Sequence, residues 1–268
     1  MRNLKILFWN VKNKDTELFH DIENYNADII ALSEVRKFNI EKYQSFFEEK
    51  GFNYFTSLDL FDDIVLSKNT NLLMVAGKGI SLDNLKLNLD ELGEHRLKFM
   101  QVSTKDGLKL GVYHSMNYNN NVNGVNKNLF HIGYGWLWEN LAGKSQYILV
   151  GDFNAILFDA KAKENPFVYE IKDKYYNFSE NINKVLSRYP SFTYKAKKFL
   201  GAFGNMPRNF YYIKPESGLE QVSLDGKFKT LIDHAFVTED LLKNKPMVTY
   251  GEKSASDHKP LILTFGHQ

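Results

Sequence analysis

Short apolar stretches of this chain run into side chains that can bind a metal ion, a phosphate or a proton. Leu4-Lys5-Ile6-Leu7-Phe8-Trp9 leads to Asn10, and Asp28-Ile29-Ile30-Ala31-Leu32 leads to Ser33 and Glu34. The stretch Leu108–His114 ends in an imidazole, and Tyr147-Ile148-Leu149-Val150 leads to Gly151-Asp152-Phe153-Asn154. Asp257 and His258 stand just before the apolar run Leu261–Phe265. Collected at one end of a sheet, these residues would form an oxygen-rich set: Glu34, Asp152 and Asp257 as carboxylates, Asn10 and Asn154 as amides. Hard oxygen donors suit Mg²⁺, Mn²⁺ or Ca²⁺ better than zinc. His114 and His258 would then supply proton transfer or charge stabilisation near neutral pH.

The elements that must position these groups are legible as alternating helices and strands. Leu18, Phe19, Ile22 and Tyr25 recur at helical spacing over residues 16–26, and Ile40, Tyr43, Phe46 and Phe47 do so over residues 39–50, with Gly51 as a stop. Residues 126–143 read as a third helix carrying Trp136 and Trp138. Nearly continuous apolar runs such as Ile29–Leu32 and Tyr147–Val150 are expected of strands buried on both faces. Ile64–Leu66 reads as another short strand, and Leu231–Val237 and Leu261–Phe265 as late ones. Asp106-Gly107 between Arg96–Ser103 and Leu108–His114 marks a hairpin, so the sheets are mixed rather than purely parallel. No repeat, low-complexity tract or linker divides the chain, which reads as one domain over residues 1–268.

Composition excludes several chemistries. The 268 residues include no cysteine, which removes disulfides, thiolate metal sites and cysteine nucleophiles. That usage and the lack of a leader-like apolar stretch at the start point to the cytoplasm. No apolar run approaches the ~20 residues of a membrane span. Net charge is only +2, from 34 basic and 32 acidic residues, so an anionic partner would have to be met by local charge.

Six segments in order resemble the endonuclease/exonuclease/phosphatase superfamily over nearly the whole chain: Phe8-Trp9-Asn10-Val11, Leu32-Ser33-Glu34-Val35, Tyr113-His114-Ser115-Met116-Asn117, Val150-Gly151-Asp152-Phe153-Asn154, Leu231-Ile232-Asp233-His234 and Ser256-Asp257-His258-Lys259-Pro260-Leu261. The resemblance implies a four-layer α/β sandwich of two packed mixed β-sheets flanked by helices. It implies a phosphodiesterase dependent on Mg²⁺ or Mn²⁺, with Glu34 as principal metal ligand and Asn10 and Asp257 completing the metal environment. Asp152 would orient or deprotonate the attacking water, and Asn154 would hydrogen-bond the phosphate. His258, steadied by Asp233, would bind phosphoryl oxygens or transfer a proton, with His114 and Asn117 on the opposite side of the scissile phosphate. Two departures are visible. Lys12 stands where some members carry an acidic residue, so a second metal relying on that position is not implied. In the deoxyribonuclease branch the first histidine pairs with a glutamate, for which the nearest candidates here are Glu94 and Asp106.

Taken singly, each motif has a plainer reading. Asp152-Phe153-Asn154 alone is a turn after a strand, and Glu34 alone a solvated strand end. Their common register with Asp257-His258 favours catalysis. Residues 191–215 hold five basic residues (Lys195, Lys197, Lys198, Arg208, Lys214), seven aromatics and no acid. They suit a nucleic-acid-binding segment, with rings on bases and cations on phosphates, or equally an aromatic core strand beside a solvated loop. Nucleic acid is therefore the expected substrate. The alternatives are a phospholipid head group or small phosphorylated metabolite, and a scaffold that keeps the fold without catalysis.

Overall fold

A strand covered on both faces needs apolar side chains at every position, and Ile6–Trp9 has them: Ile6 and Phe8 enter one core while Leu7 and Trp9 enter another. That double burial organises the whole computed structural model, which describes residues 3–62, 66–86, 96–115, 125–154, 158–159, 173–181, 201–217, 223–225, 228–252 and 255–266. The strands in chain order begin with β1 (Lys5–Asn10), β2 (Ile29–Arg36), β3 (Asn53–Thr56), β4 (Asn71–Gly77), β5 (Ile80–Leu82) and β6 (Phe99–Thr104). They continue with β7 (Lys109–His114), β8 (Tyr147–Asp152), β9 (Phe158–Asp159), β10 (Tyr175–Tyr176), β11 (Phe210–Ile213) and β12 (Pro215–Ser217). The last are β13 (Ser223–Asp225), β14 (Phe228–Leu231), β15 (Asp233–Thr238), β16 (Pro246–Tyr250) and β17 (Leu261–Phe265). Helices α1 (Phe19–Asn24), α2 (Ile40–Glu49) and α3 (Val125–Leu141) lie between them.

Two seven-stranded mixed sheets result, in the orders β12-β16-β17-β1-β2-β4-β3 and β10-β11-β15-β8-β7-β6-β5, with a small third sheet β13-β14-β9. The inner faces share one core, in which Phe8, Ala31, Val75 and Leu263 of the first sheet join Leu110, Val112, Val150 and Ala235 of the second. Outside the first sheet, Trp9, Leu32 and Met74 meet Ile22 of α1 and Tyr43 and Phe47 of α2. Outside the second, Tyr134 and Trp138 of α3 pack edge-on against Tyr113 and Phe236. Helix, sheet, sheet, helix is the four-layer sandwich that the motifs imply. No helix among the described residues is long and apolar enough to cross a membrane.

Both sheets repeat one local plan, and that plan builds the site. In the first, β1 pairs in parallel with β2 and antiparallel with β17; in the second, β8 pairs in parallel with β7 and antiparallel with β15. The carboxyl ends of both parallel pairs lie at the same end of the sandwich. Close pairing there depends on Gly151, whose Cβ, if added, would stand 1.9 Å from the Tyr113 carbonyl oxygen of the neighbouring strand. Gly151→Ala must therefore push β7 and β8 apart beside Asp152. We expect it to cost more than about 3 kcal/mol in denaturant unfolding, and an unchanged midpoint would refute the tight pairing.

Sequence and structure differ over two strands. Residues 64 and 65 of the expected Ile64–Leu66 strand lie outside the described residues, and Leu66 is not in a strand but packs with Leu72 and Leu97. The strand of this region is β4, whose Leu72–Ala76 is buried throughout. Strand β2 also does not stop at Glu34 but continues to Arg36 through a register shift between Leu32 and Val35.

Candidate active site

That shift is a β-bulge, with one extra residue on β2, and it turns Glu34 toward the second sheet. Glu34 pays in backbone conformation with φ +58°, and Asn154 (+44°), Lys12 (+43°) and Asn13 (+65°) are left-handed as well. Non-glycine residues in that region are sparse, and their concentration at the ends of β1, β2 and β8 marks a strained, pre-set site.

Asn10 ties the sheets together: its Nδ2 donates to Glu34 Oε1 and to Asp152 Oδ2, each at 3.0 Å, and its Oδ1 accepts from the Lys12 backbone N–H. The sequence reading gives Asn10 to the metal. The structure turns its amide nitrogen to the carboxylates, so it holds two acids side by side rather than offering an oxygen. Asp152 is 2 % exposed, and its Oδ1 accepts from the backbone N–H of Asn154 at 2.9 Å. Burial, and next the charge of Asp233, push its carboxyl up to about 6, against the opposing effects of His258, Asn154 and Asn10. A carboxylate poised near neutrality can take a proton.

Across β8, Asp233 pairs in register with Asp152, and its Oδ2 lies 2.7 Å from His258 Nδ1. The chain before β17 is pinned so that His258 reaches it: Ser256 Oγ donates to the Asn10 carbonyl, and Trp9 Nε1 donates to the His258 carbonyl. Burial alone would lower the His258 pKa, but the charge and hydrogen bond of Asp233, with Asp152 and Asp257, carry it up to about 10. The pair is therefore a buried imidazolium on a carboxylate. Asp233 Oδ1 is buried without a hydrogen-bond partner among the described residues, an acceptor left for a further cationic or donor group.

The other predicted residues divide. His114, at the end of β7, points Nε2 toward Glu34 Oε1 (3.6 Å) and Asp152 Oδ2 (3.9 Å). Of the two acidic candidates for its partner, Glu94 lies outside the described residues and Asp106 is at the far tip of the hairpin; among the described residues Lys98 meets it, with Nζ 3.2 Å from Nδ1. Asn154 is present but its amide nitrogen donates to the Ser115 carbonyl. Asp257 stands at the rim, ion-paired with Lys12, its Oδ1 3.9 Å from His258 Nε2. Arg208 is not brought to the site: it precedes Phe210, which pairs with Thr238, whereas the site is at the Asp233 end of β15. In the described part of the basic aromatic segment, Phe203, Phe210 and Tyr212 are core residues, the structural alternative to stacking on bases. Lys195, Lys197, Lys198 and Asn117 lie outside the described residues. Sequence reasoning missed Lys98, Ser115 and Tyr134, the last two of which fix the Phe153 carbonyl between Asp152 and Asn154.

The donors suit a hard cation. Ligand atoms of Glu34, His114 and Asp152 lie within 4.8 Å of one another, as do those of Asp152, Asp233 and His258. Two overlapping acidic and imidazole groups share Asp152, where a divalent ion would relieve the repulsion between buried carboxylates. A cleft of about 750 Å³ opens at the opposite end of the sandwich, among Leu4, Asp28, Lys78 and Lys105, and shares no residue with this cluster.

No protein-family profile matches the sequence, and no curated protein is significantly similar to it. Solved structures do match. A 3'-5' exonuclease (NExo) from Neisseria meningitidis superposes with a TM-score of 0.66 at 13% identity, over 98% of this chain and 100% of that one. An AP endonuclease from Archaeoglobus fulgidus gives 0.63 at 16% identity, over 98% and 99%. TDP2 from Caenorhabditis elegans, in truncated form, gives 0.54 at 14% identity, over 99% and 98%. End-to-end superposition on these proteins, with both mixed sheets in place, shows that the chain has the fold of the endonuclease/exonuclease/phosphatase superfamily.

Proposed function

We infer that this protein is a phosphodiesterase dependent on Mg²⁺ or Mn²⁺, and that its substrate is nucleic acid. The observation that carries this reading is the meeting of Glu34, Asp152, His114 and the Asp233–His258 pair at one end of two sheets, held by Asn10. Glu34 would be the principal ligand of the metal ion, which when bound neutralises charge on the phosphate. Asp152 orients the attacking water and accepts its proton; the Asn154 N–H and Asn10 keep its oxygens in place. His258, charged and oriented by Asp233, stabilises the negative charge of in-line displacement or protonates the leaving oxygen. Basic and aromatic side chains that would suit a polyanion with bases stand on the loops and strand ends of the first sheet. Phe38 is exposed beside the Arg36 guanidinium at the end of β2, and Lys86 and Arg96 each lie 5.3 Å from the Phe61 ring. The similar solved structures, an exonuclease, an AP endonuclease and a 3' phosphatase bound to a product DNA hairpin, support the same class. A cytoplasmic location and a single catalytic domain belong to this reading.

The test is a hydrolysis panel of single- and double-stranded DNA, RNA, a bis-aryl phosphodiester and sphingomyelin, with and without each metal. Metal-dependent cleavage of nucleic acid is expected. Glu34→Gln should lower it by about 100-fold or more and weaken Mn²⁺ binding in calorimetry. Turnover of sphingomyelin alone would transfer the chain to a lipid substrate, and no turnover with any metal would leave a scaffold.

A further inference from the structure

The Asp106-Gly107 hairpin sets Phe99 opposite Tyr113, which puts Lys98 across from His114 at the mouth of the site. The Lys98 ammonium has only hydrogens to offer, and its Nζ is 3.2 Å from His114 Nδ1. Nδ1 must therefore accept, and a neutral imidazole that accepts at Nδ1 carries its proton on Nε2. Nε2 faces Glu34 Oε1 at 3.6 Å and Asp152 Oδ2 at 3.9 Å, too far for a hydrogen bond to either. The proton is directed into the gap between the two carboxylates.

We propose that Lys98 is a positioning residue that fixes His114 as the neutral Nε2–H tautomer, so that His114 is a hydrogen-bond donor to the substrate phosphate and not a metal ligand. Histidines that ligate a metal normally give their second N–H to a carboxylate or carbonyl, which leaves the other nitrogen's lone pair for the ion. His258 has such a partner in Asp233, but His114 has the reverse one. Of the group Glu34, His114 and Asp152, only the carboxylates then ligate a cation, and the ion is held by oxygen. The two imidazoles act differently on one phosphate: His258 as a charged group, His114 as a neutral donor. The part that concerns phosphate rests on the proposed phosphodiesterase reading; the tautomer does not.

Histidine-selective ¹⁵N labelling with long-range ¹H–¹⁵N correlation reads the tautomer directly, His114 being assigned through His114→Gln. In wild type we expect Nε2 protonated and Nδ1 an acceptor, unchanged when Mg²⁺ or Zn²⁺ is added. A wild-type spectrum with the proton on Nδ1, or a shift of Nε2 showing ligation by Zn²⁺, overturns the proposal before any variant is made. Lys98→Met should mix the tautomers, and Lys98→Glu should move the proton to Nδ1 and let Nε2 enter the absorption spectrum of bound Co²⁺. Lys98→Arg keeps a donor and should keep the wild-type spectrum. An unaltered tautomer in folded Lys98→Met would show that something other than Lys98 sets it. In turnover, Lys98→Met should lose about tenfold in kcat, with Lys98→Arg recovering most of it. A protein with the expected tautomer that cleaves no phosphodiester would sink the functional reading and leave the Lys98–His114 assignment standing.

Discussion

Asp152→Asn is expected to reduce turnover by about a thousandfold or more while leaving the metal-free protein at least as stable as wild type at neutral pH. Activity falls because an amide cannot accept the proton of the attacking water. Stability holds because the wild-type carboxylate is a burden when ionised: it is buried beside Asp233, and its pKa is pushed up to about 6 from 3.8. Between those values the native state holds a proton that the unfolded chain has released, so wild-type stability falls as pH rises through this window. A displacement of that size corresponds to about 3 kcal/mol, fully incurred above pH ~6. The amide escapes it, but one of the two donors now on Asp152, the Asn154 N–H or Asn10 Nδ2, would face its NH₂ group, which costs about 1–3 kcal/mol. The two contributions nearly cancel at neutral pH, and the penalty alone remains in acid. Denaturant unfolding near pH 4 and near pH 7.5 should show the variant gaining about 3 kcal/mol on wild type between the two. A difference that does not vary with pH would mean that Asp152 is not the buried acid described here.

How much of this was readable beforehand depended on whether a residue's position follows from its own strand. Asn10, Glu34, His114 and Asp152 follow apolar runs that are unmistakable, and each arrives at the common end of the sandwich. Strand β4 was readable in principle from Leu72–Ala76, but that run leads to Gly77 and not to a group that could do chemistry. Lys98 was not readable, because its partner depends on one residue of loop length. A two-residue Asp106-Gly107 turn would set Lys98 opposite Ser115. The loop instead spans Lys105–Gly107, closed by Thr104 N–H to the Leu108 carbonyl, with Gly107 at φ +80°. Since successive side chains alternate faces, that single residue decides which groups meet. Arg208 failed for a related reason. Composition finds a basic aromatic segment, but the antiparallel register of β11 with β15 sends its charge to the wrong end of the sheet.

Asp233 and His258 should behave in mutation as one unit, and a double-mutant cycle with pH profiles would establish it. His258→Ala and Asp233→Ala are each expected to lower kcat/KM by about 100-fold or more, and the double variant to be little worse than the more severe single one. The reason is that Asp233 acts through the imidazole. Without it, burial would be opposed only by the smaller effects of Asp152 and Asp257, and the His258 pKa would fall well short of about 10. In wild type the stabilising contribution of the charged pair is complete below the ordinary histidine value of 6.5. It is lost as pH rises through about 10, because the unfolded chain gives up its proton first. Asp233→Asn should therefore move the basic limb of the kcat/KM profile from the alkaline range toward neutral pH. His258→Gln should have no such limb at all. A bound divalent ion beside Asp152 lowers both limbs together, so the displacement between wild type and Asp233→Asn is the quantity to measure. If the limb stays where it was, His258 does not draw its charge from Asp233. Its 2.7 Å contact would then serve only orientation, and the charge of the imidazole would have to be sustained by Asp152 and Asp257.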